Sequence, residues 1–514
     1  MDESTMQRMT GIDPMFIYSD TPETPMEIAY ACVFDPSTAP GGYSFEKVRA
    51  LLDERIPTLP SFRRRLVLVP LGLDHPRWVD DPDFDITNHL HRAAVPAPGG
   101  TAEFTAKVAE VMGRPLTPGQ PPWEFHIIEG LAGGRVGLIA KVHHAVIDGV
   151  AGAQLLAQLL DLSPEGRAVT ETCPPWLPPR LPSQTRLMTD SLPSVVKSPF
   201  RLLRAAREVG KTAVRLARHA LDEATGPIAI PLGAPPTFET PVCAQRAVSF
   251  TELDMAQVRT LKDRYGSTVN EVVLAVCSGA LRTHLAATGR EYDSPLIAVV
   301  PVSVRGDDQE VGGNHLSAMF VPLSNDLQTP LERLRTVSEA SSSAKSQERE
   351  VGFGPMASLL AEAMPPALAK PMIQLGVRAG ILRKVRAGNL MVSNVPGPSF
   401  PLYFTGMELC GVYPLGPVVD GIALNITVQS YRESLFVGIN ACATAVPDLP
   451  SLSEAMVDEL AELKRMATRT RRQSTAASAR HHRAAGAPAP IPALGARQPE
   501  THTDVAPDRS APLG

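Results

Sequence analysis

Residues 134–149 read GRVGLIAKVHHAVIDG. From Gly134 to His143 the run is short and mostly apolar, which predicts a largely buried strand. AVIDG then turns the chain. GVAGAQLLAQLLDL, from Gly149 to Leu162, carries an apolar stripe at helical spacing. His143 and His144 therefore sit at a strand end.

The stretch His143-His144-Ala145-Val146-Ile147-Asp148-Gly149 has the pattern HHxxxDG, which background residue usage produces by accident in a chain of this length roughly one time in a thousand. Adjacent strand residues point to opposite faces, so if one histidine faces a cavity the other faces packing, and only one can be a working base. A neutral imidazole suits removal of a proton from an alcohol as the alcohol attacks a carbonyl. Asp148 either orients the ring or locks the turn through a salt bridge, and Gly149 lets the backbone pass close beneath it. Two rival readings are a pair of satisfied core histidines and a zinc site. Neighbouring histidines on a strand diverge, however, and no pair of histidines has the spacing of four found on metal-binding helices, so no metal is expected. No GxSxG is present, which leaves covalent serine catalysis without support.

Away from the motif the chain alternates helix and strand signals. Tyr43 to Leu52 reads as an amphipathic helix, and Ile28 to Phe34 and Leu66 to Leu71 read as strands. Between about Ser163 and Ala244 two proline-rich stretches, PPWLPPRLPSQ and PIAIPLGAPPTFETP, enclose a helical one, which reads as a linker. In that helix Arg201, Arg204, Arg207, Lys211, Arg215 and Arg218 fall on one third of the helical wheel, opposite Leu202, Ala206, Val209, Ala213 and Leu216. Such a helix suits an anionic membrane surface; the alternative is a solvated face on a helix packed against the body. Further on, SFTELDMAQVRTLKDRYG reads as strand then helix, STVNEVVLAVCSGALRTHLAATG as a long buried helix, and PLIAVVPVSVR as a buried strand. After Arg469 the chain is Ala, Pro, Arg, Ser and Thr with almost no large apolar side chain, and disorder is expected. The domains read as 1–165, a linker at 166–243, 244–466, and a tail at 467–514.

The 514 residues, 44% hydrophobic, exceed what one compact core normally holds, so two core-forming units are expected. With 49 Lys plus Arg against 54 Asp plus Glu, the charge of −5 gives no chain-wide electrostatic reason for a nucleic-acid partner. The six cysteines lie far apart with no CxxC pair, so neither a disulfide framework nor a zinc site is suggested. The N-terminus MDESTMQRMT lacks signal-peptide character, and no run of 18 uncharged apolar residues occurs, which predicts a cytoplasmic protein or one peripheral to a membrane or lipid droplet.

HHAVIDG resembles the signature of the chloramphenicol acetyltransferase and condensation-domain superfamily. Within it the chain resembles the bacterial wax ester synthase/diacylglycerol acyltransferase family. The supporting segments are IDPMFIYSDTPETPMEIAYACVF, GRPLTPGQPPWEFHIIEGL, STVNEVVLAVCSGALR, PVSVR, GGNHLSAMFVPL and LMVSNVPGP, covering roughly residues 10 to 465. The resemblance implies an α/β fold of two similar halves with an active-site channel between them. It makes His144 the base, with the alcohol attacking the acyl-CoA thioester directly, and Asp148 chiefly structural, with Arg305 as its candidate partner. Acyl-CoA is then a substrate, and no bound cofactor is implied.

Two departures from the family pattern stand out. Its Pro-Leu-Trp is here Pro121-Pro122-Trp123, leaving Trp123 to line the channel or simply pack. Its Asn-Asp pair is here Asn270-Glu271, and Glu moves the carboxylate outward by about an ångström and a half, enough to disturb a positioned hydrogen bond. Asn394-Val395-Pro396-Gly397-Pro398 is a rigid turn that shapes the channel or ends a strand. Diacylglycerol is the favoured acceptor. A long-chain alcohol is the alternative, since each presents one hydroxyl on an apolar body. The rival readings are a lysophosphatidate-type acyltransferase using His143 and Asp148, a condensation-type enzyme acting on carrier-bound acyl groups, and a weak paralogue that binds lipid surfaces.

Overall fold

The computed structural model describes residues 6–146, 158–167, 180–221, 234, 240–290, 294–303, 316–351 and 353–485. The chain divides into two units, residues 1–464 and 465–514. In the first part run β1 (Met6–Arg8), α1 (Asp13–Ser19), β2 (Glu27–Asp35), α2 (Phe45–Arg55), α3 (Pro60–Arg63), β3 (Arg64–Val67), β4 (Arg77–Asp80), β5 (Leu90–Ala94), α4 (Thr101–Met112), β6 (Trp123–Glu129) and β7 (Val136–His143). A long helix, α5 (Gln184–Leu221), follows. The rest comprises β8 (Arg246–Asp254), α6 (Met255–Tyr265), α7 (Val269–Ala287), β9 (Ile297–Ser303), β10 (Leu316–Pro322), α8 (Pro330–Val351), α9 (Phe353–Ala363), α10 (Pro366–Arg378) and α11 (Ile381–Val385). Then come β11 (Leu390–Val395), β12 (Tyr403–Phe404), β13 (Met407–Leu415), β14 (Leu424–Tyr431), β15 (Ser434–Cys442) and α12 (Leu449–Ala485).

These elements build two six-stranded mixed sheets, ordered β12-β13-β2-β7-β6-β5 and β10-β9-β11-β14-β15-β8, with β1, β4 and β3 forming a small third sheet. Local chemistry explains several boundaries. Ser44 accepts from the Lys47 amide at 3.2 Å to start α2, Asp254 accepts from the Ala256 amide at 2.7 Å to start α6, and Gly266, at φ 65, closes α6 in the left-handed region that glycine tolerates.

The first sheet is buried on both faces. Trp123, Phe125, Phe34 and Phe62 share one core, while Ile139, Ile128, Phe104 and Val108 share the other under α4. That arrangement explains why all eight residues of β7 are buried and why the strand reads as an apolar run.

Two expectations from sequence are corrected, and the helix expected within the linker is given its bounds. The first sheet is not built from the N-terminal segment alone, because β12 and β13, which lie within 244–466, pair into it beside β2. Strand pairing obeys hydrogen-bond geometry, not chain position, and β2 needs a partner on its second edge. The segment 166–243 contains a 38-residue helix that starts at Gln184 and passes through Pro193 and Pro199. Its apolar side is not buried, since Leu202 and Val209 are exposed while Ala205 and Thr212 are covered. Residues 467–485, expected to be disordered, continue α12 to Ala485; alanine and arginine are good helix formers, and extending an existing helix needs no new nucleus.

The two sheets come together where β13 passes β15. A Cβ built on Gly438 would lie 2.0 Å from the Pro414 carbonyl oxygen, so only glycine allows this backbone approach. Gly438→Ala is therefore expected to force the sheets apart at a stability cost of about 1–3 kcal/mol, read as a lowered midpoint in thermal melting with the circular-dichroism spectrum otherwise retained.

Candidate active site

β7 delivers the histidine pair. Both backbone amides at its end are held by neighbouring segments: His143 N–H donates to the Pro122 carbonyl at 3.0 Å and His144 N–H donates to the Met26 carbonyl at 2.8 Å. The turn closes with the Val146 N–H donating to the His143 carbonyl at 3.0 Å. The rings then diverge. His143 is buried; its Nδ1 accepts from the Ala145 N–H at 3.1 Å, which requires the proton on Nε2, and Nε2 lies 3.8 Å from the Asp20 carboxylate. His144 reaches the wall of a cavity of about 310 Å³ between the two sheets.

That cavity has β2 on one side, through Ile28 and Tyr30, and the second sheet on the other, through Met391, Ser393, Asn425 and Thr427. Pro414 and Pro417 close it along the end of β13. The lining is mostly apolar, with His144 the one imidazole among the described lining residues. Asn425 is fully buried and locked: its Nδ2 donates to the Pro417 carbonyl at 3.0 Å and its Oδ1 accepts from Thr427 Oγ1 at 2.7 Å. Such a cleft accommodates an apolar chain while placing one imidazole at a defined point.

The His144 ring is oriented by stacking on Phe16 of α1, with centroids 4.4 Å apart and planes 18° from parallel. α1 is in turn held by Tyr18, whose hydroxyl bonds His75 Nδ1 at 3.0 Å. Below the pair, Lys141 of β7 is fully buried against Glu27 of β2 at 2.7 Å, and its ammonium also donates to the carbonyls of Val111 and Arg114. Glu27 further accepts the Leu116 N–H at 2.7 Å. Burial pushes the Glu27 carboxyl up and Lys141 pulls it back down, with burial the larger effect.

The other residues singled out from sequence fall in different places. Trp123 packs in the core and is not part of the cavity lining; its indole N–H donates to the Phe62 carbonyl at 2.8 Å and its ring stacks on His89 with centroids 4.5 Å apart. Glu271 takes part in a capping box at the start of α7: its Oε2 accepts from the Thr268 N–H at 2.9 Å, and Thr268 Oγ1 accepts from the Glu271 N–H at 3.2 Å. A glutamate at this third helical position is the residue the capping box prefers, which gives the departure from the family's aspartate a local structural purpose. The Asn270 Oδ1 is buried without a hydrogen-bond partner among the described residues. Asp148, Gly149 and Arg305 lie outside the described residues. In the Asn394–Pro398 turn, Asn394 and Pro396 line the cavity as β11 ends at Val395, so the turn serves both purposes considered for it.

Sequence reasoning missed Phe16, the Glu27–Lys141 pair, Asn425 and Thr427. A lysine inside an otherwise apolar strand was the only available signal for the pair, since burying an ammonium demands a partner. It also missed that Cys243 and Cys442, far apart in the chain, bring their sulfurs to 3.5 Å. Cys32 and Cys277 are buried, as expected of isolated thiols, and Cys173 lies outside the described residues.

Two sheets meeting over an apolar cleft, with a strand-end histidine on its wall, define an acyltransferase built from two chloramphenicol acetyltransferase-like halves. Family comparison agrees. Residues 9–273 match the wax ester synthase/diacylglycerol acyltransferase catalytic domain, and residues 312–464 match the WS/DGAT C-terminal domain. A Mycobacterium tuberculosis protein provisionally named as a diacylglycerol O-acyltransferase is 36% identical over 474 residues, covering 90% of each chain. The structure of a wax ester synthase/diacylglycerol acyltransferase from Marinobacter aquaeolei VT8 superposes with a TM-score of 0.64 at 26% identity, covering 90% of this chain and all of that one. A starter condensation domain of rhizomide synthetase, at 15% identity and a TM-score of 0.52 over 90% of this chain and 95% of that one, shares the fold. The chain belongs to the wax ester synthase/diacylglycerol acyltransferase family and is an acyl-CoA-dependent acyltransferase.

The clamp on α1 has a pH consequence. Burial, with the Arg8 cation second, pushes the His75 imidazole down to about 4. An unfolded histidine titrates near 6.5, so on acidification the unfolded chain binds the proton first. Stability from this group is full above about pH 6.5, falls as pH drops towards 4, and totals roughly 3 kcal/mol. Urea unfolding at about pH 7.5, 5.5 and 4 is expected to show this acid loss in the wild type and a reduced loss in His75→Gln.

Proposed function

We propose that the protein transfers an acyl group from coenzyme A to diacylglycerol, forming triacylglycerol, with His144 as general base. The observation that carries this reading is the place of His144 on the wall of an otherwise largely apolar cavity between the two sheets. In the reaction the acceptor hydroxyl loses its proton to the imidazole as its oxygen bonds to the thioester carbon. The carbon–sulfur bond then breaks, and the coenzyme A thiolate leaves and takes up the proton from the imidazolium. No acyl-enzyme is required. Phe16 and the backbone bond to Met26 act as positioning groups for the ring.

Diacylglycerol is favoured over a long-chain alcohol because an enzyme with a membrane-contacting surface meets diacylglycerol in the bilayer. On α5, Val196 and Phe200 are exposed beside Arg204 and Arg207, and on α10 and α11 Leu368, Met372, Leu375 and Leu382 are exposed beside Arg378 and Lys384. α10 packs on α1, the helix that carries Phe16, so the second patch is structurally linked to the base. No described helix is long and apolar enough to cross a membrane. Apolar side chains projecting among cations make an interfacial contact.

With labelled palmitoyl-CoA offered dioleoylglycerol and hexadecanol in parallel, the wild type is expected to yield mainly triacylglycerol. His144→Ala is expected to lose at least about a hundredfold in rate. Predominant wax ester would overturn the acceptor assignment, and undiminished turnover by the variant would overturn the base. In co-sedimentation with anionic phosphatidylglycerol vesicles, Phe200→Asp combined with Leu375→Asp is expected to weaken binding at least about tenfold, since each removes an inserted apolar side chain. Unchanged binding would rule out these helices as the contact.

A further inference from the structure

The sheet edge remote from β12 holds a second group of chemically capable side chains that acyl transfer does not use. His91 on edge strand β5 and His126 on β6 are direct partners in the parallel register, and Glu124 precedes His126 by two residues, so all three project from one face of the sheet. The imidazoles of His91 and His126 lie with centroids 4.7 Å apart, and His126 Nε2 is 3.1 Å from Glu124 Oε2. One donor atom from each residue falls within 4.8 Å of the other two. None of the three lines the His144 cavity.

We propose that His91, Glu124 and His126 form a binding site for a divalent transition-metal ion such as zinc, clamping edge strand β5 to β6. Two imidazoles and one carboxylate form an established zinc ligand set, which leaves a fourth position for water. A tetrahedral ion with bonds near 2.1 Å holds its donors roughly 3.4 Å apart, so closure from the present spacing asks only for side-chain rotation. Partial burial lowers the desolvation cost: the side chains of His126 and Glu124 are 16% and 17% exposed, which still admits a hydrated ion from the sheet edge. Lys141, the cross-strand partner of Glu124, spends its ammonium on Glu27 and two carbonyls. The His91 ring makes no hydrogen bond to a described residue and is only partly buried, so its nitrogens are open to solvent and to an ion. The expectation of no metal from sequence rested on the motif histidines, the lack of a histidine spacing of four and the scattered cysteines; the cross-strand pairing that assembles this group has no sequence-spacing signature.

The test uses the full-length chain without an affinity tag, carrying His481→Ala and His482→Ala, because adjacent imidazoles would themselves take up metal. Calorimetric titration with zinc chloride is expected to show one ion per chain at micromolar or tighter affinity, together with a raised melting temperature. His91→Ala with His126→Ala is expected to weaken binding at least about a hundredfold, and Glu124→Gln, which preserves size, at least about tenfold. Should the double variant fold poorly, electron paramagnetic resonance of the cupric form of the chain carrying only His481→Ala and His482→Ala decides: coupling to two imidazole nitrogens, lost in part with His91→Ala alone, supports the site. Absence of micromolar binding, binding unchanged in Glu124→Gln, or a thiolate-ligated ion at Cys243 and Cys442 would each overturn it.

Discussion

The pairing of β13 with β2 is the constraint on which the rest of the structure depends. β2 lies between β13 and β7, and its Ala29 is opposite Leu415 on one side and Lys141 on the other. Without β13, the strand that borders the histidine-bearing strand β7 would present an unpaired edge in the middle of the molecule, at the cost of unsatisfied backbone groups. With it, the end of β13 is brought over the second sheet, where Pro414 contacts β15 at Gly438 and lines the cavity. The cleft, the wall facing His144 and the cohesion of the two sheets thus follow from one strand crossing between the halves.

A second economy operates beneath the site. β7 is buried throughout, yet it carries Lys141, whose charge would be prohibitive if unmatched. Glu27, the Val111 carbonyl and the Arg114 carbonyl satisfy it, and the Leu116 N–H satisfies Glu27. The network ties β2, β7 and the segment after α4 together within a few residues of His143. Removing either ion alone would strand the other, which costs more than the pair contributes in net stability. Its effect is geometric: it holds the register in which Glu27 is opposite His143, and with it the Met26 carbonyl that receives the His144 amide. A similar tie lies downstream, where the buried Arg55 guanidinium grips both oxygens of Asp161 at 2.7 and 2.8 Å.

The helical surface follows a different logic. Beyond Leu187, which is buried near its start, α5 covers the body with small residues, Ser191 and Ala205, and leaves larger apolar ones such as Phe200 outward. A helix packed only for stability would do the reverse, because burying large side chains contributes most per residue. The same inversion occurs on α10, where Ala369 is covered and Leu375 exposed. Both helices therefore turn apolar side chains outward, and the proposed contact with a lipid surface rests on that exposure.

What the amino-acid sequence determined by itself was local or periodic. The apolar run ending at His143 was legible as a buried strand because burial on both faces removes alternation, and α7 was legible because apolar residues fill it. The opposite fates of His143 and His144 followed from the two-residue period of a strand. The tertiary structure alone decided which face was the cavity. It also decided that Trp123 would be core, that β13 would leave its own segment's sheet, and that Phe16, Lys141 and the His91–Glu124–His126 group would find their partners. The physical reason is range. Propensity, capping and periodicity act within a few residues, whereas strand pairing joins positions hundreds of residues apart, and no local pattern encodes which distant strand supplies the missing hydrogen bonds.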